Sequence, residues 1–310
     1  MLLLVKLGFF SAVVLAGLLP GQGQFVPANF KDAGSHDLVL FPANGAASVI
    51  NIPFPLWAVK FGGDGRTLYS SLDYDQRKKL EGRPGLVRID FSPTRSTPVA
   101  GTQGFLIKDF AVTQDHRKVV ISGNHRDGRV EQCGLFEITV STGVARHALA
   151  EPDCNYRWTW TNLTVSPDGT RAAATYGNTQ TDLNYRLDLI DLVQGTTKSL
   201  GDLDRPVWSP DGKWIAAIEW NRRRLILLDA SDFTRRRDLG STIVAAWSPD
   251  SRYLAVWGYG SRKCGVGWDV EPPASLEILD VALGKRLLVS SSECQLVTGA
   301  IGWISPEIKK

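Results

Sequence analysis

From about residue 54 to the C-terminus the chain is a succession of short apolar runs separated by polar turns. The plainest runs follow an acidic turn: Leu68-Tyr69-Ser70, Val119-Val120-Ile121, Ala172-Ala173-Ala174, Ile215-Ala216-Ala217 and Leu254-Ala255-Val256. Each is almost wholly small or apolar, the pattern of a strand buried on both faces. Three residues before each turn acid stands another apolar position: Phe61, Val112, Val165, Trp208, Trp247 and Ile304. Further on come residues 85–90, 135–140, 185–191, 225–229 and 276–280, most of which alternate. Leu276-Glu277-Ile278-Leu279-Asp280 is an example, with the period of two expected of a half-exposed strand. A tight turn such as Thr142-Gly143, Gln194-Gly195 or Leu283-Gly284 leads to a fourth, more polar strand.

Aligning the turn acids gives the repeat its register: Asp64, Asp115, Asp168, Asp211, Asp250 and a degenerate Glu307. A basic residue follows two or three positions later as Arg66, Arg117, Arg171, Lys213 and Arg252. Asp-Gly between apolar runs signals a hairpin, because Gly accepts positive φ and Asp bonds local amides. Proline ahead of it fixes φ and ends the first strand. A period of about 40–50 residues points to a solenoid or a propeller. Four antiparallel strands per unit, named A to D outward, favour the propeller, which leaves only short, protected edges. The expected fold is all-β: a six-bladed β-propeller of four-stranded antiparallel blades, the last closed by N-terminal strands. Residues 37–41 and 48–52, joined by Asn44-Gly45, read as third and fourth strands. The segment after Trp303 reads as a first strand, and residues 24–30 are the candidate second.

The phrase Trp208-Ser209-Pro210-Asp211-Gly212-Lys213-Trp214-Ile215-Ala216-Ala217, echoed at Val165–Gly169 and Trp247–Asp250, resembles the WD40-like repeat of TolB-type propellers. The resemblance runs from about residue 54 to the C-terminus and is strongest in the third to fifth units. It implies a propeller platform for a partner. The small α/β domain that precedes the propeller in TolB is not evident in this chain.

Composition adds the compartment. The formal charge is +3 over 310 residues, too mild to imply nucleic acid. Met1-Leu2-Leu3-Leu4-Val5-Lys6, an apolar run over residues 7–19 and Pro20-Gly21-Gln22-Gly23 resemble a secretory signal peptide. Residues 1–23 are therefore expected as a signal peptide, with an uncleaved anchor as the alternative. Residues 24–36 are a linker and 37–310 the propeller. The expected location is periplasmic or secreted, with membrane contact only through an uncleaved N-terminus. Four cysteines in an exported chain predict disulfides. Cys133 closes the B–C loop of the second unit and Cys154 lies in its D–A loop, and Cys264 and Cys294 hold the same two positions in the fifth unit, which of the three possible pairings favours Cys133–Cys154 and Cys264–Cys294.

Antiparallel order puts the B–C and D–A connections on one face and the short A–B and C–D turns on the other. The long connections are residues 73–84, 123–133, 150–161, 176–184 and 258–273, all on the first face, and long loops usually carry function. Their Tyr156, Arg157, Trp158, Trp160, Tyr259, Arg262 and Trp268 are candidate anchors, since Trp, Tyr and Arg dominate interface energetics. The leading expectation is a non-catalytic binder of a protein or envelope component through this face. The alternative is a carbohydrate-active hydrolase or lyase at the central funnel, for which His125, Asp127, Glu131, Asp153 and Asp269 are the candidates. The four histidines are scattered and no nucleophile elbow or phosphate loop is present, so no cofactor or metal is expected. Arg222-Arg223-Arg224 and Arg235-Arg236-Arg237 are read as guards of an outer edge on the third and fourth strands of one blade. The sequon Asn162-Leu163-Thr164 is set aside because it opens a buried strand.

Overall fold

The computed structural model describes residues 6–7, 10–11, 24–30, 37–40, 48–51, 56–62, 67–72, 85–91, 94–127, 130–151, 154, 158–178, 185–234, 236–241, 245–259, 273–291 and 301–304. It is an all-β propeller. Five blades are each built whole from four consecutive strands, rather than the six of the sequence reading. Blade one is Leu56–Phe61, Thr67–Leu72, Leu86–Phe91 and Thr94–Pro98. Blade two is Phe105–Val112, Lys118–Asp127, Val130–Thr139 and Ala145–Ala150. Blade three is Trp158–Val165, Arg171–Asn178, Arg186–Asp191 and Thr196–Ser199. Blade four is Asp204–Trp208, Trp214–Glu219, Arg224–Asp229 and Arg236–Ser241. Blade five is Ala245–Trp247, Tyr253–Tyr259, Pro273–Asp280 and Lys285–Ser291.

A further four-stranded sheet is composite. Ile301–Ile304 pairs with Gln24–Phe30, which pairs with Asp37–Leu40 and then Ser48–Asn51. Residues 24–30, read within the linker, are thus a strand in the second place of this sheet. Among the described residues no helix is long and apolar enough to cross a membrane.

The core lies between blades, and this explains the all-apolar second strands. Val119 and Ile121 point into a cluster with Tyr69 and Leu86 of blade one. Val120, between them, points into a cluster with Leu163, Ala172 and Ala174 of blade three. Ala173 in turn packs on Trp208 and Ile215 of blade four. Successive residues of a strand face opposite sides, so a strand sandwiched between two blades must be apolar throughout.

The recurrent aspartates are turn residues. In blades two to five a hydroxyl and an amide converge on one carboxylate oxygen. Thr113, Ser166, Ser209 and Ser248 donate their hydroxyls to Asp115, Asp168, Asp211 and Asp250. The backbone amides of Arg117, Thr170, Lys213 and Arg252 donate to the same oxygens. The next residue has positive φ: Gly169 at 68° and Gly212 at 73°, but His116 at 58° and Ser251 at 59°. The non-glycine substitutes repay the strain with contacts to neighbouring blades. His116 Nδ1 shares a hydrogen bond with Tyr69 Oη (3.0 Å), and Ser251 Oγ accepts from the Asp211 amide (2.9 Å).

For Asp115, Asp168 and Asp211, partial burial works to raise the carboxyl, but these hydrogen bonds outweigh it and hold each below the usual range. A depressed carboxyl stabilises the fold fully above the unfolded aspartate range, about pH 4, and loses that contribution as pH falls further. Replacing all three by Ala is therefore expected to flatten the acid limb of a stability–pH profile measured by urea unfolding. An unchanged acid limb would refute this account of the turns.

Arginines clamp the outer rim. The carbonyl after the last residue of a third strand accepts from the preceding blade in three places. Arg146 Nη2 donates to Leu192 O (2.7 Å), Arg171 Nη1 to Ala230 O (3.3 Å) and Arg237 Nη1 to Val281 O (2.7 Å). Arg171 also lies over the rings of Trp208 and Phe233. Within the arginine runs of blade four, the edge-guard reading did not foresee the bond from Arg237 to the next blade, and Arg235 lies outside the described residues. Arg222 lies in a 3-10 turn, Trp220–Arg222, and Arg223 has positive φ, because the chain must turn before the third strand opens at Arg224. Arg237 is an inter-blade clamp. Arg237→Met is expected to lower the unfolding free energy by about 1–2 kcal/mol, since a charged donor to a half-buried carbonyl is lost. Arg222→Met should stay within about 0.5 kcal/mol. Equal effects in urea unfolding would remove the clamp.

Candidate functional site

The best-defined part of the long-loop face is the junction of blades two and three. The second and third strands of blade two run on as a hairpin, with pairing continuous from Lys118↔Thr139 to Asp127↔Val130. Residues 123–133 were expected as a long loop, but the described residues of that stretch, 123–127 and 130–133, lie in strands. Asp127-Gly128 is itself a hairpin turn signal. The hairpin stands Cys133 beside the D–A connection, and Cys133 and Cys154 form a disulfide with Cα atoms 5.5 Å apart. Cys133 is buried and Cys154 exposed. The expected Cys264–Cys294 pair lies outside the described residues.

The connection leaves blade two at Glu151. Its amide donates to Cys133 O (2.9 Å), and His147 Nε2 donates to the same carbonyl (3.1 Å). Gly134 makes this approach possible: it has φ of 137°, and a Cβ there would lie 2.0 Å from Leu149 O. The Glu151 side chain is only 2% exposed, with Lys108 Nζ 3.8 Å from its Oε2. Neither carboxylate oxygen accepts a hydrogen bond of normal geometry. Burial pushes the Glu151 carboxyl above its ordinary range against the pull of Lys108, and burial also lowers Lys108 against the pull of Glu151. Beside the pair, Ser122 Oγ donates to Trp160 O (2.6 Å) and Thr159 is buried. Asn124 Nδ2 donates to Glu131 Oε1 (2.8 Å).

The first strands form the inner wall, and each of blades one to four has a register shift there: Leu56/Val59, Ile107/Asp109, Thr161/Thr164 and Asp204/Val207. Such bulges re-aim side chains. Asn162 (φ 52°) and Arg205 (φ 50°) take left-handed conformations at the last two. The bulges seat two buried acids. Asp109 accepts from the Leu163 amide (2.6 Å) and pairs with Lys60 Nζ (3.3 Å), which also donates to Leu163 O (3.2 Å). Asp204 accepts from Asn162 Nδ2 (3.1 Å), Thr175 Oγ1 (2.7 Å) and the Arg205 amide (2.7 Å). The sequon asparagine is thus committed to the wall.

The sequence-predicted anchors separate. Trp160 is not a surface anchor: it is buried, its indole donates to Asp188 Oδ2 (3.2 Å), and its ring packs on Tyr176. The strand alternation that begins at Trp158 turns it inward. Trp158 opens the first strand of blade three, and Tyr259 ends the second strand of blade five. Tyr156, Arg157, Arg262 and Trp268 lie outside the described residues, as do Asp153 and Asp269. The remaining catalytic candidates do not converge. His125 stacks on Phe105, next to Phe136, on the face toward blade one. Glu131 is held by Asn124, two residues from Ser122, on the face toward blade three. Asp127 sits at the hairpin end. Among the described residues no three His, Cys, Asp or Glu side chains are grouped to hold a metal.

Lys60, Lys108, Asp109, Glu151 and Asp204 went unnoticed in the sequence. One signal existed: aligned on the turn acids, Asp109 and Asp204 stand six and seven residues upstream, each in a charged pair (Lys108-Asp109, Asp204-Arg205) within a first strand that is apolar elsewhere apart from Pro206.

Four-stranded antiparallel sheets joined through their faces, with the first strands innermost, define the class as a β-propeller. Its likeness to solved propellers covers nearly the whole chain. TolB from Acinetobacter baumannii has a TM-score of 0.59 at 15% identity, over 93% of this chain and 68% of that one. A putative TolB from Agrobacterium tumefaciens has a TM-score of 0.55 at 16% identity, over 87% and 88%. An oligogalacturonate lyase in complex with manganese has a TM-score of 0.57 at 15% identity, over 82% and 70%. These likenesses show the fold, a TolB-like propeller. No family model and no curated protein matches the chain.

Proposed function

We propose that this chain is an exported, non-catalytic propeller that binds a protein or envelope component through its long-loop face. In this reading residues 1–23 direct export and the protein works in the periplasm or outside the cell. The observation that carries it is the Cys133–Cys154 disulfide. It fits an oxidising compartment, and it ties down the D–A connection on the one face that holds the candidate anchors. The composite sheet counts here as a sixth blade that fastens the ring. Contacts between neighbouring first strands support this, because they run in a closed circuit from blade one through blade five to Ile301–Ile304 and back.

The lyase reading draws on the likeness to the oligogalacturonate lyase structure, but the separation of His125 from Glu131 favours the binder. The test is capture from envelope extract of the native host. Wild type is compared with Tyr156→Ala/Arg157→Ala, with unchanged unfolding as the control. A partner retained by wild type and lost by the variant is the expected result. A partner retained equally by both would move the interface off this connection, and capture of none by either would count against a binder.

A further inference from the structure

We propose that Glu151 is a proton-operated latch on the 150–161 connection, seated in the junction of blades two and three when neutral and released when ionised. The inference rests on the functional reading above, in which this connection belongs to the binding face, and it adds a regulation of that face.

The geometry carries it. Glu151 is the first residue beyond the last strand of blade two, so whether its side chain is seated decides how the connection leaves the sheet. The seat is poor for a charge. Both carboxylate oxygens are buried and accept no hydrogen bond of normal geometry, and the Lys108 ammonium stands at 3.8 Å. A buried carboxylate without hydrogen bonds carries a large desolvation cost that a loose ion pair does not repay. The neutral acid has no such penalty. The upward displacement of the Glu151 carboxyl by burial agrees with this. Among the described residues, the disulfide three positions later is the next covalent tie on the connection.

The groups around Glu151 set the sign. Lys108, from the first strand of blade two, favours the ionised form. The Thr159 hydroxyl from blade three also favours the ionised form, and Ser122 from the second strand of blade two is a neutral neighbour of Thr159. Glu131 is the next carboxylate, held by Asn124, and Asp188 lies behind Trp160, paired with Arg186 at 2.9 Å. Among the described residues, His147 bonds the same Cys133 carbonyl as the Glu151 amide. Raising the pH ionises Glu151, so the seated state weakens as pH rises and tightens as it falls.

The test is amide hydrogen exchange of peptides spanning 150–161, read as the ratio of wild type to Glu151→Gln at each pH. The ratio cancels the intrinsic pH dependence of exchange, and Gln stands for the neutral acid. The ratio should lie near one at about pH 5 and rise at least about threefold by about pH 8. Lys108→Met removes the charge that favours ionisation and should move the rise to higher pH. His147→Gln should leave it in place. A ratio that is flat with pH, or that rises on acidification, would overturn the latch. So would a Lys108→Met protein whose connection is open at every pH, which would mark a plain ion pair. No partner is needed for the readout, so failure of the latch and failure of the binding reading are separate results.

Discussion

Replacing Asp109 by Ala is expected to lower the free energy of unfolding by about 2–4 kcal/mol, near the range for stripping one member from a buried charge pair. The lower bound allows for Lys60, whose side chain is 32% exposed and keeps some solvation. Three losses combine. The Leu163 and Phe110 amides lose their acceptor inside the wall, and Lys60 loses the carboxylate that offsets its charge. Asp109→Asn keeps an acceptor for Leu163 and removes only the charge, so it should cost about half as much. Asp204→Ala belongs to the same class, because three donors converge on one of its oxygens. A turn variant such as Asp211→Ala loses two bonds at an exposed hairpin and should cost about 1 kcal/mol. Urea unfolding of the three alanine variants is decisive. If Asp109→Ala sits with Asp211→Ala, the inner wall is not the stabilising element described above.

The disulfide is the second large term. Cys133→Ala/Cys154→Ala is expected to lose about 3 kcal/mol, the chain-entropy value for a closed loop of about 20 residues; the two cysteines are 21 residues apart. Reductant added to wild type should reproduce the loss. The same variant should weaken capture of the partner, because the 150–161 connection then exchanges among more conformations before it binds. Stability within about 1 kcal/mol of wild type would mean that Glu151 and the hairpin hold the connection unaided. Binding unchanged in a destabilised variant would separate the disulfide from the binding face.

The two acids make a contrast about legibility. The turn aspartates are conspicuous because they recur with proline, glycine and a basic residue, and the turn bonds to their carboxylates come from residues two positions away. Asp109 and Asp204 carry more of the wall yet leave only a faint mark, since apart from the next residue their partners lie far off in the chain. Asp109 bonds residues 49 and 54 positions away, and Asp204 residues 29 and 42 away. Trp160 shows the same limit from the other side. Next to Tyr156, Arg157 and Trp158 it reads as an interface aromatic. Its inward turn follows from strand register, which begins at Trp158, four residues earlier than a loop ending at Thr161 allows.

Period-two alternation, Asp-Gly turns and the recurrent Ser-Pro-Asp phrase act over a handful of residues. They were enough to read four-stranded units, apolar second strands, the all-β propeller and the Cys133–Cys154 pairing from the chain alone. The bulges of the inner wall, the burial of Asp109, Asp204 and Glu151, the Arg237 clamp and the strand place of residues 24–30 came into view only with the assembled ring. Each depends on contacts between blades, and the cost of burying a charge or shifting a register is set by what the neighbouring blade presents, which no local pattern records.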